Sequence, residues 1–283
     1  MFEIVKKETL AEGIKLFEVA APAIAKKAEP GQFIILRKDE KGERIPLTIA
    51  DSDRQEGILV LIFQEVGRST KELGCMEAGD KILDLVGPLG KKSEIEKYGR
   101  VVCIGGGVGI APVYPITKAL QEKGNEVISI IGSRTAEQLI LKNAMTEVSN
   151  HIYITSDDGT IGHKGLVTDI LKKILAEEKP VDLIVAIGPL PMMKAVSELS
   201  RPYGVKTTVS MNPIMVDGTG MCGACRVAVG NETKFACVDG PEFDGHLVDW
   251  NLAAKRSRMF LAEEKQAMEH SCSGGECQCQ KKK

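Results

Sequence analysis

The stretch "RVVCIGGGVGIAPV", residues 100–113, decides how this chain is read. Its first half is an almost unbroken apolar run, the pattern of a strand buried on both faces of a parallel sheet. Its second half crowds glycines into a tight turn and opens a helix at "APVYPITKALQEKG". The dinucleotide fingerprint G-x-G-x-x-G is not met, because Ile110 stands sixth from Gly105. Starting two residues later, the turn reads Gly107-x-Gly109-x-x-Pro112. Glycines still let the backbone approach a pyrophosphate, whose charge a helix N-terminus favours. Proline in the first helical turn costs nothing, since that N–H is unpaired anyway. Taken alone, the motif is equally a tight turn with no ligand.

Its surroundings favour the ligand. Strand and helix alternate from here to residue 210: "EVISIIGSR", "AEQLILKNAMTEVS", "HIYITSD", "GLVTDILKKILAEE", "VDLIVAIGP", "MMKAVSELSRPYG" and "VKTTVSM". Such alternation predicts right-handed crossovers and a doubly wound α/β sheet over 98–210. A second buried strand ends in Gly188 and Pro189 ahead of a helix carrying Met192, and both turns should face one crevice beyond the strands' carboxyl ends. Arg134, in "IGSRT" between them, is placed to meet an adenosine ribose or its 2′-phosphate. Working toward the N-terminus, residues 1–97 show short β-branched and aromatic strands with Gly, Pro and Asp turns, which predicts a small antiparallel β-barrel. Toward the C-terminus, 211–250 is Gly-rich and Cys-bearing, 246–270 looks helical, and 271–283 is a polar tail within a last unit of 251–283.

The 37 basic and 39 acidic residues give a formal charge of -2, which excludes a nucleic-acid or anionic-membrane surface. No apolar run approaches the roughly 20 residues needed to span a bilayer. The N-terminal "MFEIVKKETLAEG" alternates like a strand and lacks a signal-peptide core, so a cytoplasmic protein is expected. Its eight cysteines are then expected as thiols. Cys75 and Cys103 stand apart, Cys103 within the apolar run where a small hydrophobe fits; the other six follow residue 221.

Barrel, glycine turn, then "IGPLPMM" is an order that resembles the ferredoxin–NADP reductase superfamily. The resemblance implies FAD on the barrel and nicotinamide on the sheet. "RIPLTIAD" is similar to the superfamily's flavin motif R-P-x-S/T at Pro46, Leu47 and Thr48, with Ile45 at the Arg position and Arg44 one residue early. "LIFQEVGRSTKEL" resembles the segment in which Ile62, Phe63 and Gln64 line the flavin and Gly67, Arg68, Ser69 and Thr70 hold its phosphates. A C-terminal cysteine module narrows the likeness to two related small subunits. One is the electron-transfer subunit of NAD-dependent dihydroorotate dehydrogenase. The other is the small subunit of NADH-dependent reduced ferredoxin:NADP+ oxidoreductase.

In that module Cys222, Cys225 and Cys237 follow C-x2-C-x11-C. Plant-type ferredoxins use C-x4-C-x2-C with a distant fourth cysteine for a [2Fe-2S] cluster. Counting back by that rule from Cys222 lands on Asp217. From the residues alone, three alternatives stand beside an Asp-ligated cluster. They are a zinc site, a fourth ligand from Cys272, Cys277 or Cys279, and Asp217 as a plain turn residue. The resemblance favours the carboxylate, since an Asp-ligated cluster marks the ferredoxin:NADP+ small subunit and four cysteines mark the dihydroorotate type.

The reading is therefore an electron-transfer oxidoreductase subunit using NAD(H), FAD and a [2Fe-2S] cluster within an electron-bifurcating complex. Its implied partner is a larger flavin and [4Fe-4S] subunit handling NADP(H) and ferredoxin. The helical stretch 246–270, with Trp250, Phe260 and Leu261, either docks that partner or packs on its own domain.

Overall fold

The computed structural model describes the chain through residue 273, with side chains through 269; Cys277 and Cys279, and the side chain of Cys272, lie outside what it describes. Seven antiparallel strands build the first unit. They are β1 (Phe2–Ala11), β2 (Ile14–Ala20), β3 (Phe33–Arg37), β4 (Arg44–Asp53), β5 (Ile58–Gln64), β6 (Lys81–Ile82) and β7 (Asp84–Leu89), in the order β6-β1-β2-β5-β4-β3-β7. The sheet curls into a nearly closed barrel with two short helices, α1 (Pro22–Ala25) and α2 (Arg68–Gly74). Phe17 and Phe63 meet edge to face in its core, ring centroids 5.1 Å apart. Along β4, Ile45 and Leu47 pack against that core, so period-two alternation turns Arg44, Pro46 and Thr48 to the other face.

The second sheet carries six parallel strands: β8 (Arg100–Gly106), β9 (Glu126–Ser133), β10 (His151–Ser156), β11 (His163–Lys164), β12 (Leu183–Ile187) and β13 (Lys206–Ser210). Helices α3 (Ile110–Glu122) and α4 (Lys142–Glu147) share one apolar core with it; α5 (Val167–Leu175) and α6 (Leu190–Ser200) share another. Every residue of β8 is buried, as its apolar run requires. The doubly wound sheet is thus present, with one addition. Its seventh strand comes from the cysteine segment, where β14 (Arg226–Val229) and β15 (Glu232–Phe235) form a hairpin and β16 (Glu242–Asp244) pairs antiparallel with β13. Ile62 and Ala50 of the barrel lie in one core with Ile110 and Val113 of α3, which joins the two large units.

Three readings are corrected. The stretch 136–149 is not one helix: Leu141 takes φ 53°, and only α4 is α-helical. The stretch 246–270 divides into α7 (Trp250–Arg256) and α8 (Leu261–Ser273). Asp249 caps α7 through Leu252 N, and burial of Trp250 sets the helix against the β14 hairpin rather than in solvent. Cys75 is disulfide-bonded, against the expectation of thiols; pairing depends on Cα proximity in the fold, which spacing does not reveal.

The three units converge on Glu242. Ser93 Oγ donates to its carboxylate at 2.5 Å, and a Cβ on Gly31 of the barrel would stand 2.8 Å from the same oxygen. Burial raises the Glu242 pKa, with the Ser93 bond opposing.

Candidate cofactor sites

The two glycine turns meet. A Cβ on Gly109 would strike the Ile187 carbonyl and lie 2.7 Å from Gly188 Cα. Gly106 lies under the Met192 sulfur, and a Cβ on Gly188 would come within 2.7 Å of Met192 Cε. Only glycine permits this approach, so Gly107, Gly109, Gly188, Pro189 and Met192 share one crevice at the carboxyl ends of β8 and β12. Gly107 sits at φ +57° with nothing within 4 Å of a built Cβ, leaving its backbone open to a ligand. Pro112 falls in the first turn of α3 and is partly exposed. Arg134 is exposed at the end of β9, away from these contacts.

The flavin candidates divide by face. Pro46 and Thr48 are half-buried on the outer side of β4, whereas Leu47 turns toward the barrel core. Phe63 is a core residue and Ile62 a joint residue, so neither ring nor branch is free to line a ligand. Gln64 is exposed and begins the open segment to Thr70. Gly67 N donates to Thr70 Oγ1 at 3.0 Å, and a Cβ on Gly67 would meet nothing within 4 Å. Ser69 bonds Glu43, and Arg68 pairs with Glu72 at 2.8 Å, which raises the Arg68 pKa. Half-buried hydroxyls, the exposed Arg68 cation and the unobstructed Gly67 backbone fit an anionic cofactor here.

The cysteine segment packs between the units. Cys225 and Cys237 are buried in one core with Phe33 and Ile35 of the barrel and Val209 of the sheet. Their sulfurs lie 3.2 Å apart, and Cys237 N approaches the Cys225 sulfur at 3.5 Å. Burial, then Cys225, pushes the Cys237 thiol up to about 12. Cys222 is exposed, and N–H groups of Ala224 and Asp217 hold its thiol below the usual range. Gly218, Gly220 and Gly223 all take positive φ, and so wrap the loop around these sulfurs. Asp217 Oδ2 accepts from Thr219 N at 3.0 Å, Thr219 Oγ1 at 2.6 Å and Met221 N at 3.2 Å, and these bonds, Thr219's side chain first, lower its pKa. Among the described residues no three Cys, His, Asp or Glu side chains stand at mutual metal-binding distance. The structure brings Cys225 and Cys237 together and leaves Cys222 and Asp217 on the loop above them. Two paired sulfurs, a third thiol and N–H groups aimed at sulfur fit an iron–sulfur centre.

Residues 212–249 match the iron–sulfur cluster binding domain of dihydroorotate dehydrogenase B, and residues 103–198 match an oxidoreductase NAD-binding domain. The Thermotoga maritima dihydroorotate dehydrogenase B (NAD(+)) electron transfer subunit homolog is 51% identical over 263 residues, covering 93% of each chain. The chain belongs to the dihydroorotate dehydrogenase B electron-transfer subunit family. A solved chain from the structure of NADH-dependent reduced ferredoxin–NADP oxidoreductase, a study of flavin-based electron bifurcation, superposes with a TM-score of 0.91 at 49% identity. That superposition covers 96% of this chain and 98% of the other. A ferredoxin reductase of carbazole 1,9a-dioxygenase shares the fold, with a TM-score of 0.64 at 21% identity over 72% of this chain and 65% of that one. As a member of this electron-transfer family, the chain is an oxidoreductase subunit with an NAD-binding domain and an iron–sulfur cluster binding domain. Its family works as subunits of larger assemblies. Among the described residues, no helix is long and apolar enough to cross a membrane.

Two contacts went unread in the sequence. Arg44 Nε donates to the Val216 carbonyl at 2.8 Å, and Arg256 Nη2 donates to the Ala224 carbonyl at 2.9 Å. The displaced Arg of "RIPLT" was the available signal for the first; nothing in the sequence marked the second.

Proposed function

We propose that this chain is the small subunit of an NADH-dependent reduced ferredoxin:NADP+ oxidoreductase complex. In this reading 1–97 carries FAD, 98–210 carries NAD(H), 211–250 carries a [2Fe-2S] cluster, and 251–283 is a last unit that begins with α7 and α8. The observation that carries it is the burial of Cys225 and Cys237 in a core shared by barrel and sheet, with Cys222 exposed beside them. A centre held there has a flavin-binding unit on one side and open surface on the other. When bound, FAD exchanges an electron pair with nicotinamide and a [2Fe-2S] cluster carries electrons singly.

The chain's own residues do the positioning. Gly107 and Gly109 present open backbone to the pyrophosphate of NAD(H), while Gly188, Pro189 and Met192 close the crevice. Pro46, Thr48 and Gln64 face the flavin, and Gly67 to Thr70 take its phosphates. Asp217, Cys222, Cys225 and Cys237 would hold the cluster, which would carry electrons singly. On the same segment as exposed Cys222, the side chains of Ile214, Val216, Met221 and Val238 are exposed, the last three 45%, 88% and 38%. An apolar surface of this kind beside a redox centre suits the larger flavin and [4Fe-4S] subunit handling NADP(H) and ferredoxin. The protein would be cytoplasmic.

A second reading, the dihydroorotate dehydrogenase electron-transfer subunit, is favoured by the names of several relatives 30–38% identical. Asp217 separates the two readings. Asp217→Cys is expected to keep a [2Fe-2S] cluster with a shifted midpoint potential, and Asp217→Ala to lose or alter it, read by iron content and EPR of the reduced protein. An Asp217→Ala protein with unchanged spectrum and potential would remove Asp217 from the ligand set. Purification of the native complex tests the partner, and a co-purifying dihydroorotate-oxidising barrel would select the second reading.

A further inference from the structure

The loop that carries Asp217, Cys222 and Cys225 is built from glycines at positive φ, which give it little stiffness of its own. It is held from outside at two carbonyls. Arg44 of β4 bonds Val216 O, the residue before Asp217, and Arg256 of α7 bonds Ala224 O, between Cys222 and Cys225. The two guanidinium groups come from different units and bracket the ligand-bearing segment. Arg256 Nε is buried and has no hydrogen-bond partner, so this cation is kept beside the loop at a desolvation cost. Gly218 sits against Ile35 and Leu89 of the barrel, where a Cβ would come within 2.9 Å and 2.7 Å of their side chains.

Arg44 shares the outer face of β4 with Pro46 and Thr48. One strand therefore carries both the flavin-facing residues and the grip on the cluster loop. We propose that Arg44 and Arg256 are positioning residues that clamp the cluster loop and raise the cluster's potential relative to the flavin, Arg44 tying it to the flavin-bearing strand. The proposal rests on the reading of this loop as the holder of an iron–sulfur cluster through Cys222, Cys225 and Cys237. The sign follows from charge: an added electron is stabilised by a nearby cation and destabilised by its loss. Arg44 is partly exposed, so solvent and salt reduce its share relative to Arg256.

The test uses the full chain loaded with FAD and iron–sulfur, titrated anaerobically while EPR follows the reduced cluster and absorbance follows the flavin. Arg256→Gln should move the electron distribution about tenfold toward the flavin, a midpoint fall of about 59 mV for one electron, and Arg44→Gln should move it the same way by less, about three- to fivefold. Arg44→Lys, which keeps the charge, should return the distribution to near that of the parent. Unshifted midpoints in both Gln variants, with full iron and flavin content, would overturn the proposal. Where a Gln variant loses its cluster, Arg44→Lys decides: a shift as large as that expected for Arg44→Gln counts against the charge role, and retention near the parent value supports it. The underlying ligand reading fails separately. Should Asp217→Ala leave the spectrum unchanged while Arg44→Gln shifts the potential, the ligand set is wrong and the clamp stands.

Discussion

Gly109→Ala is the sharpest probe of the crevice between β8 and β12. Gly109 has ordinary helical φ of −63°, so alanine adds no backbone strain; the whole effect is steric. Its new methyl would lie 2.7 Å from Gly188 Cα and 2.8 Å from Ile187 C, both main-chain atoms that cannot rotate away. Restoring an ordinary carbon–carbon separation parts the turns by roughly 0.8 Å. Overpacking of this kind costs about 1–3 kcal/mol. Spent on cofactor affinity, that is roughly a 5- to 140-fold rise in KM for NADH at about 1.4 kcal/mol per tenfold. Gly106→Ala is the control, because its methyl meets chiefly the flexible Met192 side chain and should cost several-fold less. The assay is NADH-dependent ferricyanide reduction by FAD-loaded protein, with flavin content and thermal unfolding to establish an intact fold. A Gly109→Ala protein of normal flavin content and with KM within about twofold of the parent would refute the argument that these turns jointly form the nicotinamide crevice.

Two further outcomes concern stability. The Glu242 pKa is raised in the fold, so its protonated form contributes stability that is complete below the unfolded value near 4.5 and is lost as pH rises through the folded value. Glu242→Gln should therefore gain in Tm over the parent as pH goes from 4.5 to 8, and parallel curves would disprove the linkage. Trp250 is 8% exposed and donates Nε1 to Gly245 O at 3.0 Å. Trp250→Ala should cost about 3–5 kcal/mol and lower Tm by roughly 10 °C, measured by calorimetry, whereas a fall under about 2 °C would show α7 to be a free docking arm.

Much of the architecture was legible because its signals are local. The apolar run of β8, the glycines after it and the strand–helix alternation each report on their own neighbourhood, and the sheet follows from them. The alternation of Ile45 and Leu47 against Arg44 was likewise readable in "RIPLT". What stayed hidden depends on residues distant in sequence. Phe63 resembles a flavin-lining residue by motif, yet its partner Phe17 claims the ring for the core. That β16 would join β13 is invisible in "PEFDG", which is too short to carry a period. The proposed ligand set is a spacing in the sequence; in the fold the sulfurs of Cys225 and Cys237 lie together, whereas the Asp217 carboxylate is bonded to its own loop.

The pairing of β16 with β13 has a consequence for how this protein could be divided. Without residues 242–244, the outer row of β13 N–H and C=O groups from Thr208 to Ser210 would be open. An uncovered strand border of that kind is a template for self-association. The cysteine segment is thus also a guard on the nucleotide domain, and a chain cut at residue 210 would trade its redox module for a tendency to aggregate.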